Sequence, residues 1–334
     1  MNRTEPGQTK LTICVWHPFS EWRPPASLAE AIGRRWPAMR VVHLPDYDQL
    51  PQELPDTDIF VGYSLRAGQL ARAGRLKWIH STAAGVAQLV YPELRDSGIT
   101  VTNPRGLLSV PMAEHTLGLL IALARSFPDA VRYQDRGHWS QQDLWDHYPL
   151  TELSGKLLLI VGFGSIGQEV ARRARAFDMR VWGVSRSGRG GTPLAEKIVP
   201  VARLCEVLPA ADYVVISAPE TSETRHLFGG QEISLLKPSA CLINVSRGSL
   251  LDQAALINAL QQNKLAGAAL DVTDPEPLPA NHPLWKHPHA IVTPHTAGGS
   301  PRRAQRVIDT FCENLRRMRT GEPLIALIDK QKGY

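Results

Sequence analysis

The chain has 334 residues, 43% of them hydrophobic and 21% charged, with a formal net charge of +5. That composition is globular and long enough for two ordinary domains, and no run reaches the roughly 18 apolar residues that a membrane helix needs. The N-terminal stretch MNRTEPGQTKLTICVWHP lacks the continuous apolar segment of a secretory signal. Cys14, Cys205, Cys241 and Cys312 show neither metal-ligand spacing nor a disulfide framework, so a reducing cytoplasm is expected and no metal. The basic clusters RRAQR and LRRMR near the C-terminus come without a nucleic-acid motif. Neither nucleic acid nor a membrane is an expected partner; a small anion suits a mildly basic protein better.

In chain order, short runs rich in Val and Ile alternate with helical stretches. The first set is 11–17, 39–45, 58–63, 76–81 and 99–103. These runs do not alternate apolar with polar residues, as expected of strands buried on both faces of a parallel sheet. The stretch SVPMAEHTLGLLIALARSF (109–127) follows, a helix apolar enough to be buried between domains or subunits. A polar, aromatic arm, RYQDRGHWSQQDLWDHYPLTEL, comes next and reads as a connector that packs on something, a second subunit included. The strand pattern then restarts at 156–164, 179–185, 212–219, 240–247, 266–272 and 290–295. The expected fold is α/β: two Rossmann-like or flavodoxin-like parallel-sheet domains with a cleft between them.

GFGSIG places Gly162, Gly164 and Gly167 in the order G-x-G-x-x-G, after an apolar strand and at the start of the helical SIGQEVARRARAF. In that context glycines allow a tight turn, close approach to a pyrophosphate, and close helix–strand packing. The amides that open the helix, at Ser165 and Ile166, would face the anion. The next strand selects the dinucleotide. An NAD site usually ends it with an acidic residue that bonds the ribose 2′-hydroxyl. Here that position is Ser185, followed by Arg186, Ser187 and Arg189. Hydroxyls and guanidiniums fit a 2′-phosphate, so NADP(H) is expected in preference to NAD(H).

Three further residues stand near strand ends: Arg247 closing LINVSR, Glu276 in TDPEPLP, and His295 closing IVTPH. Ligands of open α/β sheets sit beyond the carboxyl ends of the strands, so all three face the expected cofactor side. Arg247 offers a planar fork that matches a carboxylate. His295 can give a proton to a carbonyl oxygen as hydride arrives, and Glu276 can orient its ring and favour its charged form. The set suits reduction of a 2-oxo acid.

These motifs resemble the D-2-hydroxyacid dehydrogenase family, most of all its glyoxylate/hydroxypyruvate reductase branch. ELSGKLLLIVGFGSIG resembles that family's entry into its cofactor domain, NVSRGSLLD its arginine motif, ALDVTDPEPLP its glutamate motif, and HPLWKHPHAIVTPHTAG its histidine motif. The likeness implies catalytic roles for Arg247, Glu276 and His295, and a nicotinamide-amide partner in Asp271. Pro219 and Thr224 join the expected cofactor contacts. A substrate-carboxylate loop is implied at STAAGV, with Ala84, Gly85 and Val86 binding the substrate beside Arg247 and His295. Many relatives carry an acidic residue just after this loop, where this chain reads AGVAQL, and many have His near Ser217. The implied division is a discontinuous substrate domain, 1–122 with 297–334, and a dinucleotide-binding domain, 123–296. The apolar helix and arm would form a homodimer interface. Side chains such as Tyr63, Leu65, Met112 and Trp285 would select among 2-oxo acids.

Two other readings stay open on sequence grounds. Formate-type dehydrogenases share the fold but lack the glutamate that this chain has at Glu276. A dinucleotide-binding corepressor or scaffold with little turnover could retain the Arg–Glu–His set.

Overall fold

The computed structural model describes residues 8–16, 23–24, 26–83, 85, 87–89, 91–104, 106–147, 150–189 and 191–331. Contacts divide the chain into two compact units, Met1–Leu108 with Ser300–Tyr334, and Ser109–Gly299.

The first unit holds five parallel strands: β1 (Thr9–Cys14), β2 (Met39–Leu44), β3 (Ile59–Gly62), β4 (Trp78–Ser81) and β5 (Thr100–Thr102), in the order β2-β1-β3-β4-β5. Its apolar runs are apolar because both faces are covered. Leu11, Ile13, Ile59, Val61 and Trp78 enter one core, while Phe60 and Ile79 enter the other. The C-terminal helix Arg303–Thr320 closes the first of these with Ile308, Phe311 and Leu315. Phe311 stacks on Trp78 at 5.0 Å.

His80 lies fully buried beside this stack. Thr102 Oγ1 accepts from Trp78 Nε1 at 2.8 Å and can donate to His80 Nδ1, also at 2.8 Å. Burial pushes the imidazole down from 6.5 to about 4. Between those values the unfolded chain binds a proton that the folded one refuses, so stability is full above pH 6.5 and falls on acidification towards pH 4. The loss integrates to about 3 kcal/mol. Thermal unfolding between pH 7 and pH 5 should therefore be less steep in pH for His80→Gln than for the wild type. Equal slopes would contradict the assignment.

The second unit holds seven parallel strands: β6 (Leu157–Val161), β7 (Arg180–Ser185), β8 (Lys197–Pro200), β9 (Tyr213–Ile216), β10 (Cys241–Asn244), β11 (Gly267–Leu270) and β12 (Ala290–Val292). Their order is β12-β11-β10-β9-β6-β7-β8. The sequence reading expected six. The additional strand, β8, is a four-residue edge whose polar and proline ends hide the pattern of a buried run. Alternate residues again enter opposite cores: Leu159, Val161, Val214 and Ile216 on one side, Leu158, Ile160, Tyr213 and Val215 on the other.

The apolar helix Ser109–Ala124 belongs to this second unit. Ala113, Leu117 and Leu120 enter the same core as Val170, Ala171 and Ala174 of the helix Ser165–Ala174. The contact division thus falls at 108/109 and 299/300, where the sequence reading placed it at 122/123 and 296/297. Past the helix the arm leaves large side chains uncovered, with Trp139 87% and Trp145 63% exposed. Among the described residues no helix is long and apolar enough to cross a membrane, and no cluster of His, Cys, Asp and Glu could hold a metal ion.

The candidate active site

The strand order of the second sheet reverses between β9 and β6, and a crevice forms beyond the carboxyl ends of strands at such a point. Gly162 leaves β6 there with φ +99°, and a Cβ on it would lie 2.3 Å from the amide nitrogen of Ala218, after β9. Only glycine fits that conformation and that approach. The turn is fixed by the amides of Gly162 and Phe163, which both donate to the carbonyl of Val184. Gly167 packs equally close, its would-be Cβ 2.5 Å from the Gly162 carbonyl oxygen. Gly164, by contrast, has nothing within 4 Å of that position and is exposed at the start of the helix Ser165–Ala174. The amides of Ser165 and Ile166 have no carbonyl to bond within their own helix. Two packed glycines, one open glycine and an uncapped helix start make a cradle that a phosphate fits.

At the end of β7, Ser185 Oγ accepts from the amide of Gly188, and Gly188 has φ +68°. Ser187 Oγ accepts from the amide of Arg189. Arg186 and Arg189 are exposed on this turn. A cavity of about 330 Å³ lies beside it, lined by Ser185 and Arg189 with Phe163, Gln168, Thr192 and Ile198 among others, and no carboxylate of the described residues lines it. Pro219 follows β9. The Thr224 hydroxyl donates to the Pro219 carbonyl at 2.7 Å and accepts from the Thr221 amide at 2.8 Å, so it closes the turn that carries Pro219.

Arg247 follows β10, which ends at Asn244 rather than reaching the arginine. Asn244 is wholly buried; its side-chain amide donates to the Arg247 carbonyl at 2.9 Å, and its oxygen accepts from the Ser246 amide at 3.0 Å. The backbone of Arg247 is thereby fixed without use of its guanidinium. That group is half-buried and donates to the Ser246 carbonyl at 2.7 Å. Among the described residues no carboxylate pairs with it. Gly248 brings the arginine turn against the glutamate turn, since a Cβ there would lie 2.0 Å from the carbonyl carbon of Thr273.

His295 and Glu276 meet: Nδ1 to Oε1 is 2.8 Å, with each side chain a little under half exposed. His295 has φ +53°, a left-handed conformation that costs a non-glycine residue of order 1 kcal/mol. Asp271, buried to 1% exposure, holds that turn. Its carbonyl accepts from the His295 amide at 2.8 Å, and its carboxylate accepts from the amides of Thr296 and Ala297, each at 2.9 Å. Thr293 Oγ1 donates to the same carboxylate at 2.6 Å. Asn244, Thr293 and His115, which approaches Thr293 from the apolar helix, were missed in the sequence, because single polar residues in apolar runs give no periodic signal.

Of the expected substrate loop, Ala84 and Val86 lie outside the described residues. Gly85 belongs to the first unit, and its carbonyl accepts from Gln88 Nε2 at 3.3 Å.

The chain is similar to known proteins in both sequence and fold. Residues 117–297 match the family model described as D-isomer specific 2-hydroxyacid dehydrogenase, NAD binding domain. The chain is 33% identical over 332 residues to a glyoxylate reductase of Thermofilum pendens, which covers 98% of this chain and 92% of that protein. A crystal structure of a D-isomer specific 2-hydroxyacid dehydrogenase family protein from Aeromonas salmonicida superposes with a TM-score of 0.82 at 33% identity, over 97% of this chain and 99% of that one. A family member from Xanthobacter autotrophicus Py2, solved with NADPH and MES, superposes with a TM-score of 0.82 at 28% identity, over 98% of this chain and 100% of that one. A nicotinamide dinucleotide is the cofactor that the phosphate cradle takes, and the chain belongs to the D-isomer specific 2-hydroxyacid dehydrogenase family.

Proposed function

We propose that the protein reduces a small 2-oxo acid, of the glyoxylate or hydroxypyruvate kind, to the D-2-hydroxy acid, with NADPH preferred over NADH. The observation that carries this is the 2.8 Å pairing of His295 Nδ1 with Glu276 Oε1 on a turn held left-handed, in the same unit as the phosphate cradle. The relative from Thermofilum pendens, named a glyoxylate reductase, supports the substrate class.

Gly162, Gly164, Ser165, Ile166 and Gly167 would hold the pyrophosphate; Ser185, Arg186, Ser187 and Arg189 the adenosine ribose and its 2′-phosphate; Pro219, Thr224 and Asp271 the remainder. The bound dinucleotide supplies a hydride to the carbonyl carbon of the substrate. Arg247 receives the substrate carboxylate with the guanidinium N–H groups left over from its bond to Ser246. With Nδ1–H committed to Glu276, Nε2–H of the imidazolium is the proton that His295 gives to the carbonyl oxygen. Glu276 keeps the ring turned and balances its charge until the proton leaves. The exposed Trp139 and Trp145 of the arm support a homodimer.

Steady-state rates with each cofactor test this assignment. A 2′-phosphate carries close to two negative charges, and one partly exposed bond from arginine is worth about 1.5–3 kcal/mol, roughly ten- to a hundredfold in affinity. NADPH should show a KM lower than NADH by about that factor, shrinking as salt rises. Ser185→Asp with Arg186→Ala should invert the order. The new carboxylate can still accept from the Gly188 amide, so the turn survives, while it repels the phosphate and offers the ribose an acceptor. Equal wild-type KM values would refute the NADPH preference.

A further inference from the structure

We propose that His115 is a positioning residue for this site, acting through Thr293 on the Asp271 carboxylate and so on the turn that carries His295. The proposal rests on the reading of His295 as proton donor.

His115 lies on the helix Ser109–Ala124, with Nε2 3.0 Å from Thr293 Oγ1 and 3.4 Å from Asp271 Oδ1. Thr293 Oγ1 is 2.6 Å from that same carboxylate oxygen. An ionised carboxylate only accepts, so the threonine hydroxyl must give it its proton. What Thr293 turns towards His115 is then a lone pair, and Nε2 must bring the hydrogen. The chain is directed: His115 Nε2–H to Thr293 Oγ1, and Thr293 O–H to Asp271 Oδ1.

That direction gives His115 leverage on the active turn. The Asp271 residue accepts from the amides of His295, Thr296 and Ala297, three in succession. Those bonds hold the positive φ of His295 and hence the direction of its ring. If the carboxylate could swing, the turn would lose two of its three anchors. Thr293 keeps Oδ1 in place, and His115 keeps the Thr293 hydroxyl aimed. The brace is firm because the helix behind it is packed into the sheet through Ala113, Leu117 and Leu120. Ala297 is the sole described donor to Oδ2, which leaves room there for the carboxamide of a bound nicotinamide. Cofactor placement and proton-donor placement then share one brace.

Two measurements test this. In ligand-free protein labelled with ¹⁵N-histidine, long-range proton–nitrogen NMR spectra should show His115, assigned from the His115→Phe variant, as the Nε2–H tautomer, and its Nε2 signal should move in Thr293→Val. In kinetics, His115→Phe should lower kcat by about tenfold and leave KM for the 2-oxo acid within about twofold, since Arg247 is fixed separately by Asn244. His115→Gln, whose carboxamide can still donate, should recover most of that loss. The double variant His115→Phe with Thr293→Val should be no slower than Thr293→Val alone. An Nδ1–H tautomer, additive losses, or no rescue by Gln would overturn the proposal. Thr293→Val keeps the test decisive if His115→Phe folds poorly. A wild-type protein without turnover would count against the role of His295, and the NMR result would still decide the hydrogen-bond chain.

Discussion

His295→Ala should lower kcat by on the order of a thousandfold, the range expected when a positioned general acid is removed. Cofactor affinity should stay near that of the wild type, because the glycine turn is anchored separately by the bonds from Gly162 and Phe163 to Val184. Quenching of protein fluorescence by NADPH reports the binding, and single-turnover rates report the chemistry. Loss of both together would mean that His295 shapes the fold rather than the reaction. Glu276→Gln is the companion experiment. The carboxamide oxygen can still accept from Nδ1 but no longer balances the positive ring. The ring would keep its direction but lose its counter-charge as the proton is transferred, so kcat for reduction should fall by roughly tenfold. A kcat equal to that of the wild type would remove Glu276 from this role.

Arg247→Lys should cost about a hundredfold in kcat/KM for the 2-oxo acid, and Arg247→Ala more. Lysine keeps the charge but not the planar fork, and loss of one or two charge-assisted hydrogen bonds at about 1.5–3 kcal/mol each accounts for that factor. The substitution is clean because the backbone at this position is held by Asn244, which reaches the Arg247 carbonyl and the Ser246 amide. Melting temperatures close to that of the wild type should therefore accompany the loss. Wild-type kcat/KM in Arg247→Lys would show that the guanidinium does not grip the substrate carboxylate.

The architecture was legible because parallel strands covered on both faces read as unbroken apolar runs. Leu157–Val161 and Tyr213–Ile216 are wholly buried and stood out. Lys197–Pro200 escaped because it is an edge strand with a lysine and a proline at its ends. The glycine cradle was legible from spacing and context, since each glycine meets a backbone limit or an open space where the motif needs one. The pairing of His295 with Glu276 was expected from two motifs that lie 19 residues apart. Its support was not: Asp271 and Thr293 are 22 residues apart, and His115 and Thr293 are 178 apart, and nothing local announces such bonds. The bonds that the Thr224 hydroxyl makes within its own turn, to the Pro219 carbonyl and from the Thr221 amide, were equally silent in the sequence.

The most direct test of the central claim is the configuration of the product. Purified protein would be incubated with NADPH and hydroxypyruvate, and the glycerate formed would be resolved by chiral chromatography while NADPH oxidation is followed in the same sample. The site described here predicts D-glycerate in amounts equal to the NADPH consumed. Formation of L-glycerate, or no oxidation of NADPH with hydroxypyruvate or glyoxylate, would contradict it.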